Sequence, residues 1–188
     1  RQVNQLLKFQ GDGSAVAAPV QPAGEANWVE GRVFSKTLDD GVQAVRATQV
    51  GADGSVYVLA DVDRAPGDKA IKGDQDVALI KYDSAGKLIY SRVLGAADTA
   101  SGLALAVSAD GKIAVAGSVT GGLSGAVDGP LNSASSAALA DRSDSFVTVF
   151  NADGEEMWTA RRGSRDNDEA SQIAFGADGT VYVAGRSR

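Results

Sequence analysis

The sequence predicts an all-β fold built from four-stranded antiparallel units, and three observations carry that prediction. The ten-residue stretch "SADGKIAVAG" (108–117) recurs as "GADGSVYVLA" (51–60) and "GADGTVYVAG" (176–185). A second family of turns alternates with the first along the chain. The segment 76–118 also slides onto 144–186 without a gap, with 11 of 43 positions identical. Those positions are Asp76, Gly86, Gly95, Asp98, Ala106, Ala109, Asp110, Gly111, Val115, Ala116 and Gly117 with their counterparts. Repetition at this period decides the architecture before residue propensity enters.

The elements follow in chain order. "LLKFQGDG" places Phe9 four residues before Gly13, which turns the first hairpin. A small-residue insertion, "SAVAAPVQPAGEAN" (14–27), precedes Trp28. The pair Asp53 and Gly54 closes the next hairpin ahead of Val56 and Val58. Asp-Gly bounded by alternating β-branched residues is a strong hairpin signal, because glycine supplies the positive φ such turns need. After a linker at 61–75, "LIKYDSAG" repeats the aromatic-to-glycine spacing with Tyr82 and Gly86. Asp110 and Gly111 lead into Ile113 and Val115, and a long small-residue linker fills 119–143. "VTVFNADG" sets Phe150 before Asp153 and Gly154, and Asp178 and Gly179 turn the chain into Val181 and Val183.

Six turn glycines imply six hairpins and about twelve strands. Within the best-defined unit the strands are expected near 101–107, 112–118, 145–150 and 155–161. The Asp-Gly residues are read as turn chemistry, in which a carboxylate bonds nearby backbone and glycine supplies the dihedral. The structural turn set is therefore Gly13, Asp53, Gly54, Gly86, Asp110, Gly111, Asp153, Gly154, Asp178 and Gly179.

Four antiparallel strands per repeat describe a β-propeller-like array better than a solenoid or a sandwich. Residues 1–188 read as a single such domain or fragment. Within it, 1–60 are divergent material interrupted by the 14–27 insertion, 61–118 a second repeat with its linker, and 119–188 a third. Counted from the start, two half-units flank two whole ones. Three units fall short of the roughly four to eight that close a propeller ring, so the ring is expected to be incomplete or open. The missing part lies in further blades of a longer chain or in a second copy, or the blades form an open sheet array. The start at Arg1 rather than Met, and the end at Arg188, favour the first of these.

The segment "DSFVTVFNADGEEMWTARRGSRDNDEASQIAFGADGTVYVAG" resembles the bacterial seven-bladed β-propeller repeat of the SBBP type. The matching features are "FNADG", the aromatic Trp158 in the following strand, Gly163, Asp166 and "GADGTVYVAG". The copy at 76–117 has Val77 and Ala78 where an aromatic is usual, and the first copy diverges most. This resemblance covers most of the chain and carries no catalytic motif. It implies a secreted or surface-associated bacterial protein, extracellular or at the cell surface. In it the propeller section would act as a non-catalytic structural module binding a protein or glycan partner.

Composition narrows the chemistry. There is no histidine, which removes Ser-His-Asp hydrolysis, imidazole metal ligands and the usual proton shuttle near neutral pH. There is no cysteine, so disulfides and thiolate sites are absent. A net charge of −6 opposes a nucleic-acid partner, and no apolar run reaches the roughly 18 residues that span a bilayer. No glycine-rich phosphate loop appears, and neither a cofactor nor a metal is expected. Asp166, Asp168 and Glu169 lie close together, but Arg161, Arg162 and Arg165 neutralise them, and a solvated loop is the simpler reading. Trp158 aligns with Tyr90 in a repeated position and reads as packing, whereas Trp28 beside a linker is the better exposed aromatic. The competing expectation is a propeller hydrolase, lyase or quinone-dependent dehydrogenase whose catalytic groups lie in blades outside these residues.

Overall fold

The alternation of turn glycines and β-branched runs is realised as twelve strands among the residues the structure describes. The computed structural model describes residues 4–9, 32–38, 41–64, 71, 73–95, 99–120, 143–162 and 167–186. In chain order the strands are β1 (Gln5–Phe9), β2 (Arg32–Thr37), β3 (Val42–Val50), β4 (Val56–Val62), β5 (Asp76–Tyr82) and β6 (Leu88–Leu94). They continue with β7 (Ala100–Val107), β8 (Ile113–Val119), β9 (Asp144–Phe150), β10 (Glu156–Arg162), β11 (Glu169–Phe175) and β12 (Val181–Arg186).

The protein is all-β, and its strands form antiparallel sheets. Two have four strands, in the orders β3-β4-β5-β6 and β7-β8-β9-β10. Two have two strands, β1-β2 and β11-β12. Neighbours in sequence are neighbours in each sheet, and short turns join β3 to β4, β5 to β6, β7 to β8, β9 to β10 and β11 to β12. Among the described residues no helix is long and apolar enough to cross a membrane.

Both faces of the central strands are covered. Along β4, Tyr57 and Leu59 join one buried cluster with Val77, Leu79, Leu105, Ile113, Val115 and Phe146. The intervening Val58, Ala60 and Val62 join a second with Val42, Ala78, Ile80 and Tyr82. Alternate residues of a strand point to opposite faces, so each cluster occupies one side of the β3–β6 sheet. Burying each Val or Leu contributes about 1.5–3 kcal/mol, and a strand buried on both sides uses nearly every position for this.

The sheets stack through their first strands. β7 lies against β3, β4 and β5, and β11 lies against β7, β8 and β9. One backbone bond marks both stacking steps: Ala100 donates to the Gln75 carbonyl and Asp168 to the Ser143 carbonyl, each at 2.8 Å. These donors and acceptors are one repeat apart in sequence. The second seam is lined by Ala104, Ala116 and Ala170, small enough to let β11 approach closely. At the first seam Gly102 serves the same purpose, because a Cβ there would sit 2.8 Å from Leu59 Cγ and 3.1 Å from Val77 Cγ1.

The linker boundaries differ from the sequence expectation. Asp61 and Val62, read as the start of a surface linker, are the last residues of β4 and are 1 % and 0 % exposed. Val119 likewise closes β8 rather than opening the next linker. The insertion at 14–27 and Trp28 lie outside the described residues.

Candidate functional site

Five turns share one backbone design. In each, the residue three before the glycine accepts from the glycine N–H and donates to the carbonyl of the residue that follows the glycine. The glycines Gly54, Gly86, Gly111, Gly154 and Gly179 have φ between +80° and +87°. A side chain in that region would be strained. Gly13 lies outside the described residues.

The accepting side chain changes place with the local sequence. Where the turn opens on glycine, the aspartate two positions on takes the bond: Asp53 Oδ1 accepts from Ser55 N–H at 2.9 Å, and Asp178 Oδ1 from Thr180 N–H at 3.0 Å. Those backbone bonds hold both carboxyls below their ordinary value. Where the opening residue carries an oxygen, that residue accepts instead. Asp83 Oδ1 accepts from Ala85 and Lys87, and Asn151 Oδ1 from Asp153 and Glu155. In the NADG turn the accepting oxygen is thus two residues before Asp153. At the SADG turn Ser108 Oγ accepts from Lys112 N–H and donates to Asp110, whose carboxyl that bond lowers.

Of the acidic run, Asp168 and Glu169 are among the described residues. Asp168 is 4 % exposed, while Glu169 pairs with Arg186 at 3.3 Å. Asp166 and Arg165 lie outside the described residues. Arg161 Nε donates to Asp144 Oδ2 at 2.7 Å, with both side chains almost fully buried. Among the described residues no group of three or more carboxylates could hold a metal ion.

Beside the Gln75–Ala100 bond, two further polar links across the first seam were not visible as such in the sequence. Asp61, on β4, accepts from Arg46 Nε at 2.6 Å through Oδ2 and from Gly102 N–H of β7 at 2.9 Å through Oδ1. The other link runs from β6 to the β9–β10 turn, where Arg92 Nε donates to the Gly154 carbonyl at 2.7 Å. The Arg92 guanidinium stacks 4.6 Å from the Tyr90 ring centroid, and Lys81 Nζ lies 5.6 Å from the same ring. Gly154 touches the opposite side of this group, since a Cβ there would be 2.8 Å from the Tyr90 ring.

Burial, reinforced by Tyr57, pushes the Tyr90 phenol up to about 12, and among the described residues its hydroxyl has no hydrogen-bond partner. Absorbance titration of the four tyrosines should therefore contain one phase displaced to about pH 12. Tyr90→Phe is expected to delete that phase. Its survival in the variant would assign the high value elsewhere.

Trp158 occupies the position one repeat beyond Tyr90, yet it is 41 % exposed, with Met157 beside it at 48 %. Tyr90 is covered by a turn from the next sheet, and no described residue covers Trp158 in that way. Packing, the reading taken from the alignment, holds at Tyr90, while Trp158 is left partly exposed by the described residues. A small, mostly apolar pocket lies between the two four-stranded sheets, lined by Leu94, Val119, Phe146, Thr148 and Thr159 among others. Its hydroxyls are already engaged, Thr148 with Thr159 at 2.9 Å and Thr159 with Glu156.

No protein-family model matches the chain. Over 164 residues it is 55 % identical to "Regulatory protein FlaEY" of Caulobacter vibrioides, an alignment covering 84 % of this chain and 17 % of that protein. The chain therefore spans only a small part of the length of this relative. The relative's name corrects the functional expectation. A secreted or surface-associated structural module binding protein or glycan was inferred from fold resemblance, and a propeller-like fold hosts many unrelated functions. That relative is named a regulatory protein, not a structural or binding module.

Proposed function

We propose that these residues form part of a regulatory protein, and that their sheets are consecutive blades of a β-propeller of the SBBP type. The observation that carries the regulatory reading is the 55 % identity to a protein named as a regulator. The blade reading is supported by two sheets of equal strand number and by first strands that each lie on three strands of the preceding sheet. The repeated stacking bond from Ala100 and Asp168 supports it further.

In this reading regulation is non-catalytic and does not proceed through direct contact with nucleic acid. A chain of net charge −6 without histidine supplies neither the cationic surface for phosphates nor the common proton-transfer group. The test is an in-frame deletion of these residues from the parent gene, followed by transcript and protein profiling. A defined set of other gene products should change in level in the deletion strain. An unchanged profile beside an intact, stably expressed truncated protein would overturn the regulatory reading.

A further inference from the structure

Four of the described turns carry the same triplet, Ala-Asp-Gly, at 52–54, 109–111, 152–154 and 177–179. They share one backbone as well, each glycine N–H donating to the carbonyl three residues back at 3.0 or 3.1 Å. What differs is the partner of the carboxylate. Asp53 and Asp178 each accept a backbone N–H from two residues on, and Asp110 accepts from Ser108 Oγ with Lys112 Nζ at 3.8 Å. In the remaining turn Asn151 Oδ1 takes the corresponding bond, from Glu155 N–H at 2.9 Å. Among the described residues the carboxylate of Asp153 is left with neither a hydrogen bond nor an ion pair, and Asp153 is exposed.

An aspartate followed by glycine can cyclise, because the following residue has no side chain to hinder its backbone nitrogen. We propose that Asp153 is a site of backbone modification, forming a succinimide and then an isoaspartate in preference to Asp53, Asp110 and Asp178. The Gly154 nitrogen attacks Cγ of the protonated Asp153 carboxyl. A bond from nitrogen to Cγ forms, and the amide hydrogen leaves with the carboxyl hydroxyl as water. Water then adds at the main-chain carbonyl carbon of Asp153 and breaks its bond to nitrogen, so the chain continues through Cγ. The mass is unchanged, and the step needs no oxidant or cofactor. A carboxylate that already accepts a hydrogen bond must give it up before it can be protonated and turn onto the nitrogen. The same bonds hold Asp53, Asp110 and Asp178 below their ordinary value, which thins the reactive protonated form further. The consequence reaches the seam between the two four-stranded sheets, since the Gly154 carbonyl accepts from Arg92 and the glycine lies against Tyr90. An added backbone carbon between residues 153 and 154 displaces that carbonyl.

The test is to incubate the folded protein warm at neutral pH and label it with an isoaspartyl carboxyl methyltransferase, locating the methyl groups by peptide mapping. Asp153 should carry several-fold more label than each of Asp53, Asp110 and Asp178. In urea, where the identical triplets lose their turns, the four should label alike. Asn151→Gly recreates the opening of the turns at Gly51 and Gly176 and frees the Glu155 N–H for Asp153. In that variant the label at Asp153 should fall to the level of Asp53 and Asp178, whose own unchanged labelling reports that the variant is folded. Equal labelling of the four in the folded protein, or a lead by any of the three bonded aspartates, overturns the proposal. So does a lead of Asp153 that persists in urea or survives Asn151→Gly.

Discussion

Arg161→Leu is expected to destabilise the protein by about 3–5 kcal/mol, the range for removing one partner of an enclosed ion pair. Arg161 and Asp144 are 3 % and 1 % exposed at the side chain, so solvent does little to screen them. Among the described residues Asp144 Oδ1 has no hydrogen-bond partner, and the Oδ2 contact with Arg161 Nε is the compensation shown for its buried charge. Without the guanidinium, that buried charge would lose this partner. The decisive measurement is a double-mutant cycle by urea unfolding. Adding Asp144→Asn to Arg161→Leu should recover most of the loss, because the unpaired charge is gone. If Arg161→Leu alone costs less than about 1 kcal/mol, the pair behaves as a surface bridge and its enclosure is wrong.

The periodic features were legible in the sequence because local chemistry dictates them. A glycine at positive φ three residues after an oxygen-bearing or glycine residue can be recognised without knowing what it packs against. Burial on both faces was not legible in the same way. Val56 and Val58 suggested a strand with one apolar face, yet Tyr57 and Leu59 are equally enclosed, since a sheet stacked between two others has no solvent face.

The charged residues misled for a related reason. Arg161 was read only as a neutraliser of the nearby Asp166, Asp168 and Glu169, and its bond to Asp144, 17 residues away on the adjacent strand, was not foreseen. Hairpin register brings that pair together, and linear proximity says nothing of it. Asp61 read as linker because an aspartate beside "DRAPGD" is ordinary loop composition. The signal that would have placed it was the repeat itself, which aligns Asp61 with Ser118 inside a strand. Function was the least legible, because no residue constellation in the sequence encodes regulation.

Asp61→Ala is the second large effect, expected to cost about 2–4 kcal/mol, and its partition is informative. The ion pair with Arg46 contributes the smaller share, because Arg46 is 41 % exposed and water screens it. The larger share comes from Gly102 N–H, a buried donor on β7 that would lose its acceptor on β4. Asp61→Asn keeps an acceptor of the same size in place and should cost only about 1 kcal/mol, whereas an ion-pair origin would make Asn nearly as damaging as Ala. Amide exchange distinguishes the two directly. The Gly102 N–H should exchange faster in Asp61→Ala than global destabilisation alone accounts for, and stay protected in Asp61→Asn. Unchanged relative protection in both would mean that Leu59 and Val77 hold the sheets together without the carboxylate. A selective loss at Gly102 would instead make Asp61 the polar latch between one sheet and the next.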